Sequence, residues 1–478
     1  MQTIINKASR VSKRDNLVLI TSDLRALNDK YLEKSELEYI RNAHKEFKKF
    51  QFAFNRMNKW DFVRVMEKER SKDLRLENYR RAGACFAKEL NENRLNRVTV
   101  VDLDNDPENV LAFAEGLALS NYQFIKYKKD QNVKINSLNQ IDIYSGKLDL
   151  KAIDDLNIML DGTFKCRNLV NEPVVFLNAV KFAEEMESMS KASGAKVEIL
   201  NKKKIESLKM GGLLAVNKGS VDPPTFTTIE WKPEKPVNKK PYVFVGKGVV
   251  YDTGGMNIKT GDYMNNMKMD MAGGAAVVSA VYAISMAKLP VHVIALVPAT
   301  DNRTDGNAYV SGDIITMHDG TRVEVINTDA EGRLILADAL SYAKKFNPEL
   351  VINVATLTGS AARAIGKYGI VAMQSKADRE FRQLKKTGET INEKVVEFPL
   401  WKDYEDLLKS DIADIKNLGG VEAGAITAGK FLQHFTAYPF IHLDIAGTAF
   451  TEKPYHYYPS GGTGITVRLL FNFIKNKI

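Results

Sequence analysis

Lys247, Asp252, Lys259, Asp270, Asp329 and Glu331 fall in three short stretches rich in glycine and apolar residues. They read Val-Gly-Lys-Gly-Val-Val-Tyr-Asp-Thr-Gly-Gly-Met-Asn-Ile-Lys (245–259), Met-Lys-Met-Asp-Met-Ala-Gly-Gly (267–274) and Asn-Thr-Asp-Ala-Glu-Gly-Arg-Leu (327–334). Four carboxylates brought together repel one another, and burial raises that cost. Bound divalent cations are the usual way such a group stays ionised, so the pattern points to a carboxylate-built metal centre. Two ions about 3.5–4 Å apart can share a carboxylate and hold a bridging hydroxide, lowering the pKa of water and polarising a substrate oxygen. An inward-pointing Lys259 stabilises an oxyanion formed there. Arg333 offers a planar fork suited to a carboxylate or a small anion.

Each residue also has a plainer reading. Asp252 sits in a glycine-rich turn, where aspartate is a common structural device. Asp270 and Asp329 each precede a helical stretch that they can cap, and Glu331 supplies favourable first-turn charge. Lys247 must lose its proton to offer nitrogen to a metal, and on the residues alone an ion pair is the better reading. All-oxygen ligands suit magnesium or manganese, and zinc accepts carboxylates too. Other chemistries find less support. Cys85 and Cys166 have no neighbours at metal-ligand spacing, and the six histidines form no His-x-x-His or His-Glu-x-x-His pattern. Thr358-Gly359-Ser360-Ala361 lacks the glycine spacing of a nucleophile elbow.

The elements that must position these residues belong to a chain of 478 residues, long enough for two or three domains. Apolar content of 44% and charged content of 27% are those of a soluble globular protein. The first thirty residues do not resemble a signal peptide, and the apolar runs near 275–289 and 291–298 stop well short of a membrane span. A cytoplasmic, soluble protein is expected. The formal charge of +9 comes from short basic clusters lying among acids, without an RNA-binding signature or zinc finger. A solvated, mildly basic surface explains it better than a nucleic-acid face.

Residues 1–165 alternate apolar runs with helical patterns, which suggests a small α/β domain. Leu17–Thr21 and Val98–Leu103 read as strands, and the charged, proline-free stretch Tyr31–Lys88 as surface helices. A second domain, 166–478, opens with a helix starting near Pro173. Val197–Leu200 follows as a strand and Lys203–Leu208 as a helix. Four prolines make Val221–Val237 a poor candidate for a long regular element. Beyond it, Tyr242–Gly246, Val291–Val297, Val323–Ile326, Leu350–Ala355 and Phe440–Ile445 read as strands. Met271–Met286, Leu334–Lys345 and Ala425–Phe435 read as helices. The strands are apolar on both faces, which predicts a central, mostly parallel or mixed sheet flanked by helices. The charged loops follow Tyr242–Gly246 and Val323–Ile326, at the carboxyl ends of strands where such sheets bind ligands.

The three stretches closely resemble the leucyl aminopeptidase family of dinuclear metallopeptidases. The resemblance continues through Gly306-Asn307-Ala308, Ala355-Thr356-Leu357-Thr358-Gly359, Gly424-Ala425-Ile426-Thr427-Ala428 and His442-Leu443-Asp444-Ile445-Ala446-Gly447-Thr448-Ala449, covering roughly residues 165–478. It implies two divalent metal ions per subunit, Zn²⁺ or Mn²⁺ with Mg²⁺ as a third choice. Residues matching Lys247, Asp252, Asp270 and Glu331 hold the tighter ion, and those matching Asp252, Asp329 and Glu331 hold the other. Lys259 polarises the scissile carbonyl and steadies the gem-diolate, while Arg333 holds a bicarbonate that acts as general base. The peptide's free amino group docks on a metal and on the carboxylate matching Asp270. Met267, Thr356, Gly359, Ala446 and Ala449 line an apolar side-chain pocket, so N-terminal leucine or methionine is expected, with broad specificity because a methylene discriminates by only about 1–3 kcal/mol. A hexamer of two stacked trimers is implied, with a smaller N-terminal domain.

Two departures from the family pattern stand out. Thr260 follows the catalytic lysine where many relatives have proline, and 302–312 departs from the usual proline-containing version. Neither removes a ligand. The expected activity is metal-dependent release of N-terminal residues from peptides. A specialised dipeptidase acting on Cys-Gly is the alternative hydrolase, and a nucleic-acid-binding structural protein the alternative of another class.

Overall fold

The computed structural model describes residues 3–129 and 134–478. Met1, Gln2 and 130–133, all within the expected N-terminal domain, lie outside the described residues. The chain divides into two units, Met1–Asp161 with Thr390–Asn392 and Lys453–Pro459, and Gly162–Glu389 with Glu393–Glu452 and Ser460–Ile478.

The first unit is built on strands β1 (Ile4–Lys7), β2 (Leu17–Thr21), β3 (Gln51–Asn55), β4 (Trp60–Val65), β5 (Arg97–Asp102) and β6 (Gln140–Tyr144), in the order β1-β6-β5-β2-β4-β3. All pairings are parallel except β3 with β4. The expected strand Leu17–Thr21 forms with those bounds. Tyr31–Lys88 does not stay helical, because a hairpin interrupts it between the helices Lys34–Phe47 and Lys72–Glu92. Alternating Phe52 and Phe54 and the turn at Met57, whose φ is 68°, mark the hairpin. Asp61, buried in β4, is neutralised by Arg56 at 3.0 Å and Lys59 at 2.8 Å.

The second unit holds a nine-stranded mixed sheet. Its strands are β7 (Lys196–Leu200), β8 (Thr225–Trp231), β9 (Tyr242–Gly246), β10 (Gly248–Asp252), β11 (Val293–Asn302), β14 (Leu350–Ala355), β15 (Ile370–Ser375), β16 (Val395–Glu397) and β18 (Phe440–Asp444). The order is β16-β15-β18-β14-β9-β11-β8-β7, with β10 added beside β11. The central run β18-β14-β9-β11 is parallel. A separate small sheet comprises β12 (Ile314–Thr316), β13 (Arg322–Glu324) and β17 (Ile415–Lys416).

Both faces of the central strands are apolar for a visible reason. Val243 and Val245 join one core with Leu334, Ile335 and Phe431 from helices Glu331–Ala343 and Gly424–His434. Tyr242, which precedes Val243 and so faces the other way, instead packs edge-on against Phe473 of helix Val467–Lys475. The apolar helix Ala272–Met286 backs onto the ends of β9 and β14. A Cβ on Gly273 would lie 2.1 Å from the Val354 carbonyl oxygen, so only glycine permits this approach. Within 267–286 the chain is long and apolar enough to cross a membrane, yet most of it is buried inside the unit.

Three expectations change here. Pro173 starts no helix. Leu150–Asn171 is still helical just before it, and the next helix runs Ala179–Ser193, with the Asn178 side chain accepting the Lys181 N–H at 2.9 Å. Within Val221–Val237 the prolines flank a seven-residue strand, β8, rather than interrupting one. Val323–Ile326 contributes β13 to the small sheet and not to the central one, so only the 247 loop follows a central strand as expected.

Candidate active site

Five central-sheet strands deliver residues to one place at their carboxyl ends, as open α/β sheets do. Lys247 follows β9, Asp252 closes β10, Asn302 closes β11, Thr356 follows β14 and Asp444 closes β18. Asp270 lies in the 3₁₀ turn Met267–Met271 before the helix Ala272–Met286, and Glu331 opens the helix Glu331–Ala343. Neither Asp270 nor Asp329 caps a helix; the residues at the cap positions are Met271 and Ala330, without side-chain cap bonds.

Asp252, Asp329 and Glu331 each present a carboxylate oxygen, all within 4.8 Å of one another. Lys247 Nζ sits 2.8 Å from both Asp270 Oδ2 and Glu331 Oε1 and donates to the Thr356 carbonyl at 3.1 Å. Gly332 leaves room for this: a Cβ there would fall 2.5 Å from Lys247 Cε. Lys259 Nζ sits 2.8 Å from Asp252 Oδ2 and also pairs with Asp329 Oδ1. Ahead of Thr260, the Lys259 N–H is tied to the Thr253 carbonyl at 2.9 Å.

Two ammonium groups thus face four carboxylates, and the excess negative charge shows in the proton affinities. Burial, with repulsion from Asp252 and Glu331, pushes the Asp329 carboxyl up to about 7 despite Lys259. Burial likewise raises Glu331, with Asp252 adding to it, and holds Asp270 well above the carboxylate range. Burial alone would lower Lys247 and Lys259, but the surrounding carboxylates outweigh it and both ammonium groups stay protonated. Glu331 Oε2 is buried with no protein partner. An oxygen-rich, electron-donating set with an unmatched carboxylate oxygen fits divalent cations.

Hydrogen bonds fix the loops that carry these carboxylates. Asp252 Oδ1 accepts from the Gly254 N–H and from Asn302 Nδ2, both at 2.8 Å, while Asn302 also donates to the Thr328 carbonyl at 3.1 Å. Asn257 Oδ1 accepts the Thr328 N–H at 2.8 Å, and Thr328 Oγ1 donates to the Gly254 carbonyl at 2.6 Å. The loop carrying Asp252 and Lys259 is therefore stitched to the loop carrying Asp329 and Glu331. Thr356 Oγ1 donates to Asp270 Oδ1 at 2.8 Å. Asp444 braces the next turn, accepting from the Leu357 N–H at 3.1 Å and from Thr358 Oγ1 at 2.7 Å. Sequence reasoning missed Asn302, Asn257 and Asp444; for Asn302 and Asp444 a polar residue ending an apolar strand was the available signal, whereas Asn257 lies in a loop. Asn302→Ala is expected to weaken divalent-metal affinity about 10–100-fold, since partners of metal ligands carry effects of that size. Calorimetric titration with Mn²⁺ checks it, and unchanged affinity would show that the bond serves only the fold.

Arg333 is buried, and burial lowers its guanidinium to about 10. Its Nη1 donates to the Asn417 carbonyl at 2.7 Å, and its Nε has no partner. Behind it His442 in β18 holds Asn353 Oδ1 at 2.6 Å, and burial together with the Arg333 charge pushes its imidazole down to about 3. The folded state therefore refuses a proton that an unfolded chain takes up below about 6.5. Stability from this residue is intact at pH 7 and is lost as pH falls from 6.5 toward 3, by about 1.4 kcal/mol per unit. His442→Gln is expected to lower this loss: between pH 7 and 5, in chelator, its melting temperature should fall less than that of the unmodified protein. Equal falls in calorimetry would refute the assignment.

A cavity of about 870 Å³ opens over these groups. Met267, Thr356, Gly359 and Ala446 line it, as do Tyr263, Leu418 and Val421. Ala449 is buried away from that lining, its carbonyl accepting the Thr463 N–H at 3.0 Å.

A sheet that gathers carboxylates and lysines into such a cavity is the framework of a metallohydrolase. The profile of the Cytosol aminopeptidase family, catalytic domain, matches residues 164–471, and that of its N-terminal domain matches 68–131. A probable cytosol aminopeptidase of Chlorobium limicola is 43% identical over 378 residues, covering 76% of this chain and 74% of the relative. Another, of Syntrophotalea carbinolica, is 40% identical over 411 residues, covering 83% and 82%. The solved structure of the bottromycin maturation enzyme BotP in complex with Mn superposes with a TM-score of 0.85 at 26% identity, covering 97% of this chain and 99% of that one. This chain belongs to the cytosol aminopeptidase family. It is a metal-dependent hydrolase that releases residues from the N-terminus of peptides.

Proposed function

We propose that the chain acts in the cytoplasm on short peptides with a free N-terminus, preferring leucine or another apolar residue such as methionine. The observation that carries the reading is the convergence of Asp252, Asp329 and Glu331, with oxygens within 4.8 Å of one another. Asp252, Asp270, Asp329 and Glu331 would hold two divalent ions, with Asp252 and Glu331 shared, and Lys247 would join them where an adjacent cation displaces the proton its ammonium keeps in the metal-free protein. Manganese or zinc suits the set, and the manganese complex of BotP favours the former. When bound, such ions lower the pKa of water and polarise a carbonyl oxygen.

The chain's own residues supply the rest. Asp270, steadied by Thr356, receives the substrate's ammonium, which accounts for selecting an unblocked N-terminus. Lys259, kept charged by its carboxylate neighbours, steadies negative charge developing on the scissile carbonyl oxygen. Arg333, with its unpartnered Nε, fits a small anion such as bicarbonate able to accept a proton. Met267, Thr356, Gly359 and Ala446 receive the departing residue's side chain. We assign the working form as a homohexamer on the family resemblance.

Chelation should abolish hydrolysis of leucine amide, and Mn²⁺ or Zn²⁺ should restore it. Acetyl-leucine amide should resist cleavage; equal rates on free and acetylated substrates would overturn the reading.

A further inference from the structure

Four cations line the active-site cavity, and three of them have assigned places. Lys247 and Lys259 are held in ion pairs, and Arg333 donates to the Asn417 carbonyl. The fourth, Arg363, does not share this arrangement. It is exposed, on the short helix Gly359–Ile365 at the cavity wall. Its one hydrogen bond is a long one, 3.4 Å from Nη2 to Ser360 Oγ, and no ion pair engages it among the described residues. Its guanidinium lies over Gly359: a Cβ on that glycine would meet Arg363 Nη1 at 3.1 Å. The neighbouring lining, Ser360, Ala362, Gly424, Ala446 and Val421, offers no carboxylate to neutralise it. The cavity's own carboxylates already face the two lysines.

We propose that Arg363 is a specificity-determining residue that binds a carboxylate carried by the substrate. This rests on the aminopeptidase reading given above but not on its apolar preference, and it names a charged group that the substrate carries. A guanidinium presents a planar, bidentate fork to a carboxylate, and such charge-assisted pairs are about twice as strong as neutral hydrogen bonds. A purely apolar pocket gains nothing from a free cation on its wall. A peptide carboxylate arriving there replaces water on the guanidinium and adds no uncompensated charge. Two sources share this chemistry: an acidic side chain on the departing residue, and the C-terminal carboxylate of a dipeptide.

Paired substrates separate them. The full-length protein, loaded with Mn²⁺, is assayed on glutamate α-amide against glutamine amide, and on Leu-Gly against Leu-Gly-amide. Within each pair only one member carries the carboxylate. In Arg363→Met the ratio of kcat/KM within one pair should fall about 10–100-fold toward the uncharged member, the span expected for one charge-assisted contact. In Arg363→Glu it should fall further. A shift in the glutamate pair identifies the side chain as the source, and a shift in the Leu-Gly pair identifies the terminus. Ratios unchanged in both pairs and both variants overturn the proposal. If the unmodified protein also fails on leucine amide, the aminopeptidase reading itself has failed, and the proposal falls with it.

Discussion

Glu331→Gln is expected to lower kcat/KM on leucine amide by on the order of a thousandfold, about 4 kcal/mol of transition-state stabilisation. The substitution preserves shape and removes one charge. Oε1 is engaged by Lys247 at 2.8 Å, so the amide oxygen takes that position and the NH₂ replaces Oε2. Hydrogens then point where an electron pair is required. The metal-free protein should not suffer comparably, because the change removes the repulsion that Glu331 exerts on Asp270 and Asp329. Thermal melts should therefore show a metal-free variant at least as stable as the unmodified protein, but one whose melting temperature Mn²⁺ no longer raises. Activity within tenfold of normal would mean that the chemistry does not depend on this carboxylate.

Lys259→Met should act on turnover rather than on binding. The ammonium is pinned between Asp252 and Asp329, and its charge persists across the neutral range because those carboxylates and Glu331 outweigh the effect of burial. A fixed positive charge stabilises oxyanion character that grows only along the reaction coordinate, so removal should cut kcat about 10²–10³-fold. KM should move by no more than severalfold, since the proposed function gives the substrate's amino group and side chain to other residues. Steady-state kinetics separates the two parameters. A large rise in KM with normal kcat would reassign Lys259 to ground-state binding.

The metal-ligand candidates were legible because function concentrates unusual residues. Several acidic and basic side chains set among glycines and apolar residues in three separate stretches exceed what single turns or helix caps need, and Asn327–Leu334 alone carries Asp329, Glu331 and Arg333. The central strands were legible from continuous apolar runs, which only a sheet covered on both faces requires. What escaped notice depends on tertiary partners. Gln51–Asn55 and Trp60–Val65 are short strands set within a charged stretch, so their local composition reads as helix. Thr225–Trp231 was obscured by prolines that lie outside it. Asn302 looks like any polar residue at a strand end until Asp252, 50 positions earlier, is seen beside it. Arg363 shows nothing locally, because what sets it apart is that no carboxylate among the described residues pairs with it in a cavity that distant segments enclose.

The sheet order has a consequence for when peptide cleavage can begin. β9, which delivers Lys247, lies between β11 and β14, and both neighbours come later in the chain. During synthesis on the ribosome, Lys247 has no fixed address until Ala355 has emerged, and Asp444 braces the adjoining turn later still. A nascent chain that stops short of Ala355 therefore lacks the strand on one side of β9, and Lys247 lacks half of its bed.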